Sequence, residues 1–307
     1  MRELAVRLGI SPSFVLADRS ADDARGCPIW LAGMCRLFGM SAGDEAVRAT
    51  FWLLGARDSL RAQSHQNADG TGIGYFDPDG TPRVDKQPIA AFEDRRFATE
   101  ARQICSRTFV AHVRHATNGA LTMANTHPFC ERDRLFAHNG VIGDVPKLEE
   151  HLGESLELVA GESDSERFFA LITGEIDRHD GSVGAGISAA ARWVVQTLPV
   201  VSINFVLVTA TDMWALRYPE TNTLFVLERA AGGGKPGLAT PLEQTSSHGT
   251  RVHSETARDR AIVVVASEQM DEDPGWREVR SGELLHVGPS LTLESEILLE
   301  DPPAHPA

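Results

Sequence analysis

The sequence predicts a mixed α and β protein whose sheets are covered on both faces. Two observations carry this. The runs Ile203–Val208 (INFVLV) and Ala261–Ala266 (AIVVVA) are apolar on both alternating faces, and such strands need other layers above and below them. Helical spacing of apolar residues recurs between the strand-like runs. No Pro/Ser-rich linker divides residues 35–299, so that span reads as one domain.

Residues 1–34 make a poor start to a domain. Their apolar residues keep no period, and Ala21–Gly26 is polar. This stretch is expected to be a leader, a removable propeptide or a mis-assigned start. Asp44 can cap a helix carrying Val47, Phe51 and Leu54. Strands are expected at 70–76, 108–114, 202–209, 223–227 and 261–266. Ser163-Asp164-Ser165-Glu166 has the S-x-x-E form of a capping box and opens a helix with Phe168, Leu171 and Ile172 on one side. A further helix runs from about 183 to 198, with Ile187, Ala191, Val194 and Leu198 on its apolar face. The stretch 231–260 contains GGGKPG and two His; it is long for a loop. The Pro-rich residues 300–307 are expected to be a disordered tail.

Composition excludes several function classes. In 307 residues, 43 Asp and Glu against 29 Lys and Arg leave a formal charge of −14. Such a surface repels phosphate backbones and anionic lipid, so neither nucleic acid nor membrane is an expected partner. The purest apolar run, Ala261–Ala266, is far too short to span a bilayer. The first residues lack a signal-peptide core. Cys27, Cys35, Cys105 and Cys130 form no C-x-x-C pair. A reducing, cytoplasmic setting with free thiols is expected. The oligomeric state, homo-oligomer included, is left open.

Four segments carry candidate chemistry: MCRLFG (34–39), HVRHATNG (112–119), THPF with FAHNG (126–129 and 136–140), and ESDSE (162–166). Cys35 read alone is a small buried hydrophobe. If Met34 is removed, however, it carries a thiol and a free α-amine on one residue. Their reference pKa values, roughly 8.5 and roughly 7.7–8.0, make proton exchange between them nearly thermoneutral, so the amine can serve as base for its own side chain. Arg114 reads as an ion-paired arginine or as a fork for a substrate carboxylate. Asn139-Gly140 is a hairpin-turn signal taken alone. It can also present an amide and a backbone N–H to an oxyanion. Asp164 favours a helix dipole, or holds a substrate ammonium while Ser163 does the capping. The residues His112, His115, His127 and His138 do not read as a metal site, because strand alternation sends His112 and His115 to opposite faces. No metal and no cofactor are expected.

Together these segments resemble the class II glutamine amidotransferases, glutaminase members of the N-terminal-nucleophile hydrolases, and most closely the freestanding bacterial type beginning MCRLFG. The order is Cys, R-x-A-T, H-N-G, S-D-S-E, and the later ASEQMDEDPGWREVRSGELLHV (266–287) is similar too. The resemblance implies an α+β fold, a four-layer αββα sandwich of two mostly antiparallel sheets. It implies Cys35 as nucleophile with its α-amine as base, and Asn139 and Gly140 as oxyanion hole. Arg114, with Thr117 beside it, would bind the α-carboxylate of glutamine, and Asp164 its α-amino group. Asp69, His115 and His127 match structural or pocket-lining positions. His115 stands where many synthase-linked relatives carry Trp, so the pocket wall differs there.

The expected activity is hydrolysis of the glutamine side-chain amide to glutamate and ammonia through a thioester; the acceptor is unknown, either a synthase in trans or none. Two alternatives stand beside it. One is hydrolysis of another γ-glutamyl amide, with the 231–260 segment on the leaving-group side. The other is a non-catalytic binding protein in which Cys35 is never freed.

Overall fold

The structure, a computed structural model, describes residues 35–115, 120–231, 243–245, 251–253 and 260–307. The expected leader (1–34) and most of the 231–260 stretch therefore lie outside the described residues.

The chain builds two large antiparallel sheets. β1 (Arg36–Ser41) is central in the first, which also holds β2 (Gly70–Phe76), β3 (Pro82–Gln87) and β4 (Thr108–Arg114). The second takes β5 (Phe129–Glu131), β6 (Arg134–Ile142), β7 (Val200–Val208) and β8 (Met213–Leu216). The chain then returns to the first sheet with β9 (Phe225–Arg229). A small separate ribbon, β10 (Glu243–Thr245) with β11 (Arg251–His253), precedes β12 (Ile262–Ala266) and β13 (Arg277–Glu278) in the first sheet. β14 (Glu283–Val287) and β15 (Leu293–Ile297) close the second. Strand order is β13-β9-β12-β1-β4-β2-β3 in the first sheet and β15-β14-β8-β7-β6-β5 in the second.

Three cores make this a four-layer αββα sandwich. Leu37, Val110, Ala137, Val206 and Val265 fill the space between the sheets. Phe38, Met40, Phe109, Ala111 and Val264 face outward from the first sheet, under the turn Phe51–Gly55, α1 (Leu60–Gln63) and α2 (Arg95–Gln103). Phe136, Phe205 and Leu207 face α3 (Val145–Leu152), α4 (Asp164–Arg178) and α5 (Val183–Thr197). The two-sided apolar character of β7 and β12 follows: each strand has a core on both faces.

Local chemistry sets the helix starts. Asp94 caps α2 by accepting from Arg96 N–H at 2.8 Å, and Ser163 caps α4 by accepting from Glu166 N–H at 3.2 Å. Strands 70–76 and 108–114 form as expected.

Three expectations are corrected. The helix expected from Asp44 does not form. Val47 and Ser106 exchange backbone bonds at 2.9 and 3.0 Å, and a short π turn follows at Phe51–Gly55. Asn139-Gly140 is not a hairpin turn but lies inside β6, paired across to Asn204 and Ile203 of β7. Residues 300–307 are not a loose tail: Val200 N–H donates to His305 O (3.1 Å), Ala304 N–H to Val195 O (3.1 Å) and Ala307 N–H to Val200 O (3.3 Å). The backbone of β7 and the end of α5 give this segment partners that its composition does not reveal.

Strand β2 lies against the segment leading into β5. A Cβ at Gly72 would come 2.2 Å from His127 O, so only glycine lets that backbone sit on the strand. Among the described residues no helix is long and apolar enough to cross a membrane.

Candidate active site

The layer between the sheets changes character along its length. On β4, Val110 faces the apolar inter-sheet core, and alternation puts His112 and Arg114 on the same face. On β6, Leu135 and Ala137 face that core, and Asn139 follows them. The apolar filling thus gives way to His112, Arg114 and Asn139 towards the end of β4 that meets Cys35.

Cys35 immediately precedes β1, whose Arg36 pairs with Val113 of β4. This puts Cys35 beside Arg114 and His115. The half-buried thiol donates to His115 O at 3.3 Å and accepts from His115 N–H at 3.2 Å. Burial pushes it up to about 11, while the His115 N–H and the Arg114 and Arg36 charges act the other way. At neutral pH it is therefore a protonated thiol that needs a base. His115, the expected wall residue, meets the thiol through its backbone, and its ring lies 3.9 Å from the Asp69 carboxylate.

Arg114 is 4% exposed and donates from Nη1 to Ala120 O at 3.2 Å. Asp69 N–H donates to Arg114 O at 3.1 Å. Asp164 opens α4 and is buried; its Oδ2 accepts from Ile142 N–H at 2.8 Å, which binds the helix start to the end of β6. The charges of Arg114 and Asp164 both act on Cys35, one lowering and one raising its pKa. Thr117 lies outside the described residues.

Asn139 is held by its backbone carbonyl, which accepts from Ser202 Oγ (3.2 Å) and Asn222 Nδ2 (3.4 Å). Its side-chain Oδ1 is buried without a hydrogen-bond partner. Gly140 sits where a Cβ would lie 1.8 Å from Ser202 O, so the close approach of β6 and β7 demands glycine. On the opposite face of β6, His138 bonds Ser165 Oγ of α4 at 2.9 Å and faces Ser202 O at 3.3 Å.

His127 is interior. Its ring centroid lies 4.2 Å from that of His112 and 4.5 Å from that of Phe129. Neither ring nitrogen of His112 or His127 makes a hydrogen bond of good geometry. Burial, reinforced by the Arg114 charge, pulls His112 down to about 3, and burial lowers His127 as well. Both rings are neutral at physiological pH. Among the described residues no group of His, Cys, Asp or Glu could hold a metal.

Of the residues expected from sequence, the structure brings Cys35, Arg114, His115 and Asp69 to one place, and sets Asn139, Gly140 and Asp164 on adjoining elements. Sequence reasoning missed Asn125, Asn204 and Asn222, buried amides that tie the loops around the site. An Asn in a turn-rich stretch ordinarily signals only a turn, so nothing local marks them. The 231–260 stretch departs from the sheet far from the thiol: its flanks pair Arg229 with Ile262, while Val263 pairs with Ser41 at the opposite end of β1. Its expected leaving-group role falls outside the described residues.

Comparisons with known proteins give the family and the fold. A family model described as class II glutamine amidotransferases matches residues 34–295. A protein of Saccharomyces cerevisiae named "probable glutamine amidotransferase DUG3" is 31% identical, over 87% of this chain and 85% of its own. A γ-glutamyl-hercynylcysteine sulfoxide hydrolase of Mycobacterium tuberculosis is 28% identical, over 83% of this chain and 93% of its own. Among solved structures, glutamine phosphoribosylpyrophosphate amidotransferase of B. subtilis superposes with a TM-score of 0.58 at 20% identity. That match covers 87% of this chain and 50% of the longer one, and it shows a shared fold.

Proposed function

The chain belongs to the class II glutamine amidotransferases, and from that premise we propose that it hydrolyses the side-chain amide of glutamine to glutamate and ammonia through a thioester on Cys35. One observation carries the reading: the Cys35 thiol rests on the His115 backbone at the end of β4, beside the buried Arg114, and the buried Asp164 carboxylate acts on the same thiol. A free α-amino acid presents the two opposite charges that such a pair recognises.

In this mechanism Arg114 takes the α-carboxylate and Asp164 the α-ammonium, which aims the side-chain amide at Sγ. A thiol pushed up to about 11 is inert at neutral pH without a local base. The α-amine of a freed Cys35 supplies one on the same residue. It takes the thiol proton, Sγ adds to the amide carbon, and the oxyanion is met by Asn139 Nδ2 and Gly140 N–H. The protonated amine then gives its proton to the departing ammonia, and water cleaves the γ-glutamyl thioester to release glutamate. Ammonia leaves for solvent or for an acceptor enzyme in trans.

A second reading shares every step up to the leaving group. A relative named for hydrolysis of a γ-glutamyl sulfur compound aligns along 93% of its length, and its γ-glutamyl half would use the same Cys35, Arg114 and Asp164. Turnover of glutamine measured against larger γ-glutamyl amides separates the two. Faster turnover of glutamine supports the first reading, and parity or reversal supports the second. Cys35→Ala is expected to abolish product formation while leaving the urea midpoint nearly unchanged. N-terminal sequencing of active protein is expected to begin at Cys35. Full activity from protein in which Cys35 remains amide-linked would refute the mechanism.

A further inference from the structure

The two charges proposed to grip the amino-acid head of the substrate come from separate parts of the fold. Arg114 ends β4 of the first sheet, and Asp164 opens α4, which covers the second. Neither element fixes the distance between them. One buried side chain bridges the gap. Asn125 is 2% exposed. Its Nδ2 donates to Ala120 O at 3.1 Å, the same carbonyl that accepts from Arg114 Nη1 at 3.2 Å. Its Oδ1 accepts from Glu162 N–H at 2.7 Å, two residues before Asp164. The Glu162 carboxylate closes the ring by accepting from Ala120 N–H at 3.4 Å. Glu166 holds the turn from inside α4, accepting from Ala160 N–H (3.2 Å) and Gly161 N–H (2.6 Å). A Cβ on Gly161 would lie 2.6 Å from Asn125 Oδ1, so the turn is packed directly on the amide.

We propose that Asn125 is a positioning residue for substrate recognition, setting the span between the Arg114 guanidinium and the Asp164 carboxylate. The inference rests on the proposed function, because only a ligand carrying both an α-carboxylate and an α-ammonium uses that span. The residue type matters. An amide offers a donor at one end and an acceptor at the other, which is what a carbonyl on one side and an N–H on the other require. Aspartate keeps the acceptor for Glu162 N–H, but sets a carboxylate oxygen against Ala120 O and within reach of Arg114. Alanine removes both ties. Charge-assisted hydrogen bonds are directional, so a shift of the 120–125 loop against the start of α4 weakens a two-ended grip more than it disturbs the thiol chemistry.

The test measures glutamine kinetics, and calorimetric binding of the product glutamate, on the chain as recovered from its producing cells. Wild type, Asn125→Ala and Asn125→Asp are compared, each also with Arg114→Ala, using the low-substrate slope for kcat/KM. Asn125→Ala is expected to raise KM and weaken glutamate binding about tenfold, the scale of one or two hydrogen bonds, with kcat held within about threefold. Asn125→Asp is expected to lose at least as much, because its carboxylate competes for Arg114. Where Arg114→Ala has already removed one arm, the further effect of Asn125→Ala is expected to fall below about twofold. A KM within twofold of wild type, a loss confined to kcat, or an undiminished tenfold loss without Arg114 would overturn the proposal. If Asn125→Ala does not fold, the near-isosteric Asn125→Asp decides by the same measures. A wild type that turns over neither glutamine nor a γ-glutamyl amide and binds no glutamate refutes the functional reading, and this one with it. A competent wild type matched by Asn125→Ala refutes the positioning role alone.

Discussion

Lowering the pH from 7 to 5 should cost this protein stability through one interior imidazole, and the size of that cost follows from where the ring sits. His112 is 0% exposed, and its pKa falls from 6.5 to about 3, first because burial excludes water and next because Arg114 repels a second positive charge. The fold therefore prefers the neutral ring. The stability this provides is whole above pH 6.5 and is lost as the pH falls from there towards 3. At pH 5 the folded ring is still neutral, whereas the unfolded chain has bound a proton 1.5 units below its own pKa. At 1.36 kcal/mol per unit the difference is about 2 kcal/mol. Carboxylates also titrate in this window, and burial raises Glu100 to about 8, which opposes the trend. The quantity to read is therefore a difference between proteins. Urea unfolding of wild type and His112→Gln at pH 7 and pH 5 should show wild type losing about 2 kcal/mol more than the variant over that step. Equal losses within about 0.5 kcal/mol would mean that the folded ring takes up the proton as readily as the unfolded chain does, and the argument from burial would fail.

Other perturbations probe the remaining parts of the site. Gly140→Ala places a Cβ 1.8 Å from Ser202 O and 2.5 Å from its carbonyl carbon, where about 3.5 Å is comfortable. Backbone meets backbone, so β6 and β7 must part; a loss of about 3 kcal/mol or more in urea unfolding is expected, and a loss under 1 kcal/mol would contradict the packing. Arg114→Ala should raise KM for glutamine by about 10- to 100-fold, the scale of a charged hydrogen bond. Arg114→Lys should recover only part of it, since an ammonium lacks the planar fork; an unchanged KM in Arg114→Ala would remove Arg114 from the substrate, and full recovery in Arg114→Lys would show that charge alone suffices there.

How much of this was legible in the sequence depends on whether the deciding contact is local. Strands β2 and β4 read to the residue: β4 (TFVAHVR) is rich in β-formers, and β2 (GTGIGYF) alternates glycine with Thr, Ile and Tyr between the polar Asp69 and Asp77. Helix α4 read from its own capping serine. The stretch after Asp44 misleads because the spacing of Val47, Phe51 and Leu54 is helical, yet the backbone of Val47 is claimed by Ser106, a partner from far along the chain. Asn139-Gly140 misleads for the same reason, with β7 overriding the turn signal. The tail looked disordered because composition says nothing of the free backbone groups that Val195 and Val200 offer it. Within the site, Cys35, Arg114 and Asp164 stand out through the family resemblance of the segments that carry them; read one at a time, each has an ordinary structural reading. Asn125, Asn204 and Asn222 do not stand out, since their roles exist only once distant loops are brought together.

The contact that Gly72 permits, with the His127 carbonyl resting on β2, has a consequence for how activity can be lost. Cys35 and Arg114 belong to one half of the sandwich, Asn139 and Asp164 to the other, and this seam joins them. Neither half alone carries all four residues of the proposed site. Gentle heating or pressure that slides the halves apart should silence the enzyme before either sheet frays, which makes catalytic rate a sensitive gauge of how firmly the two layers are seated.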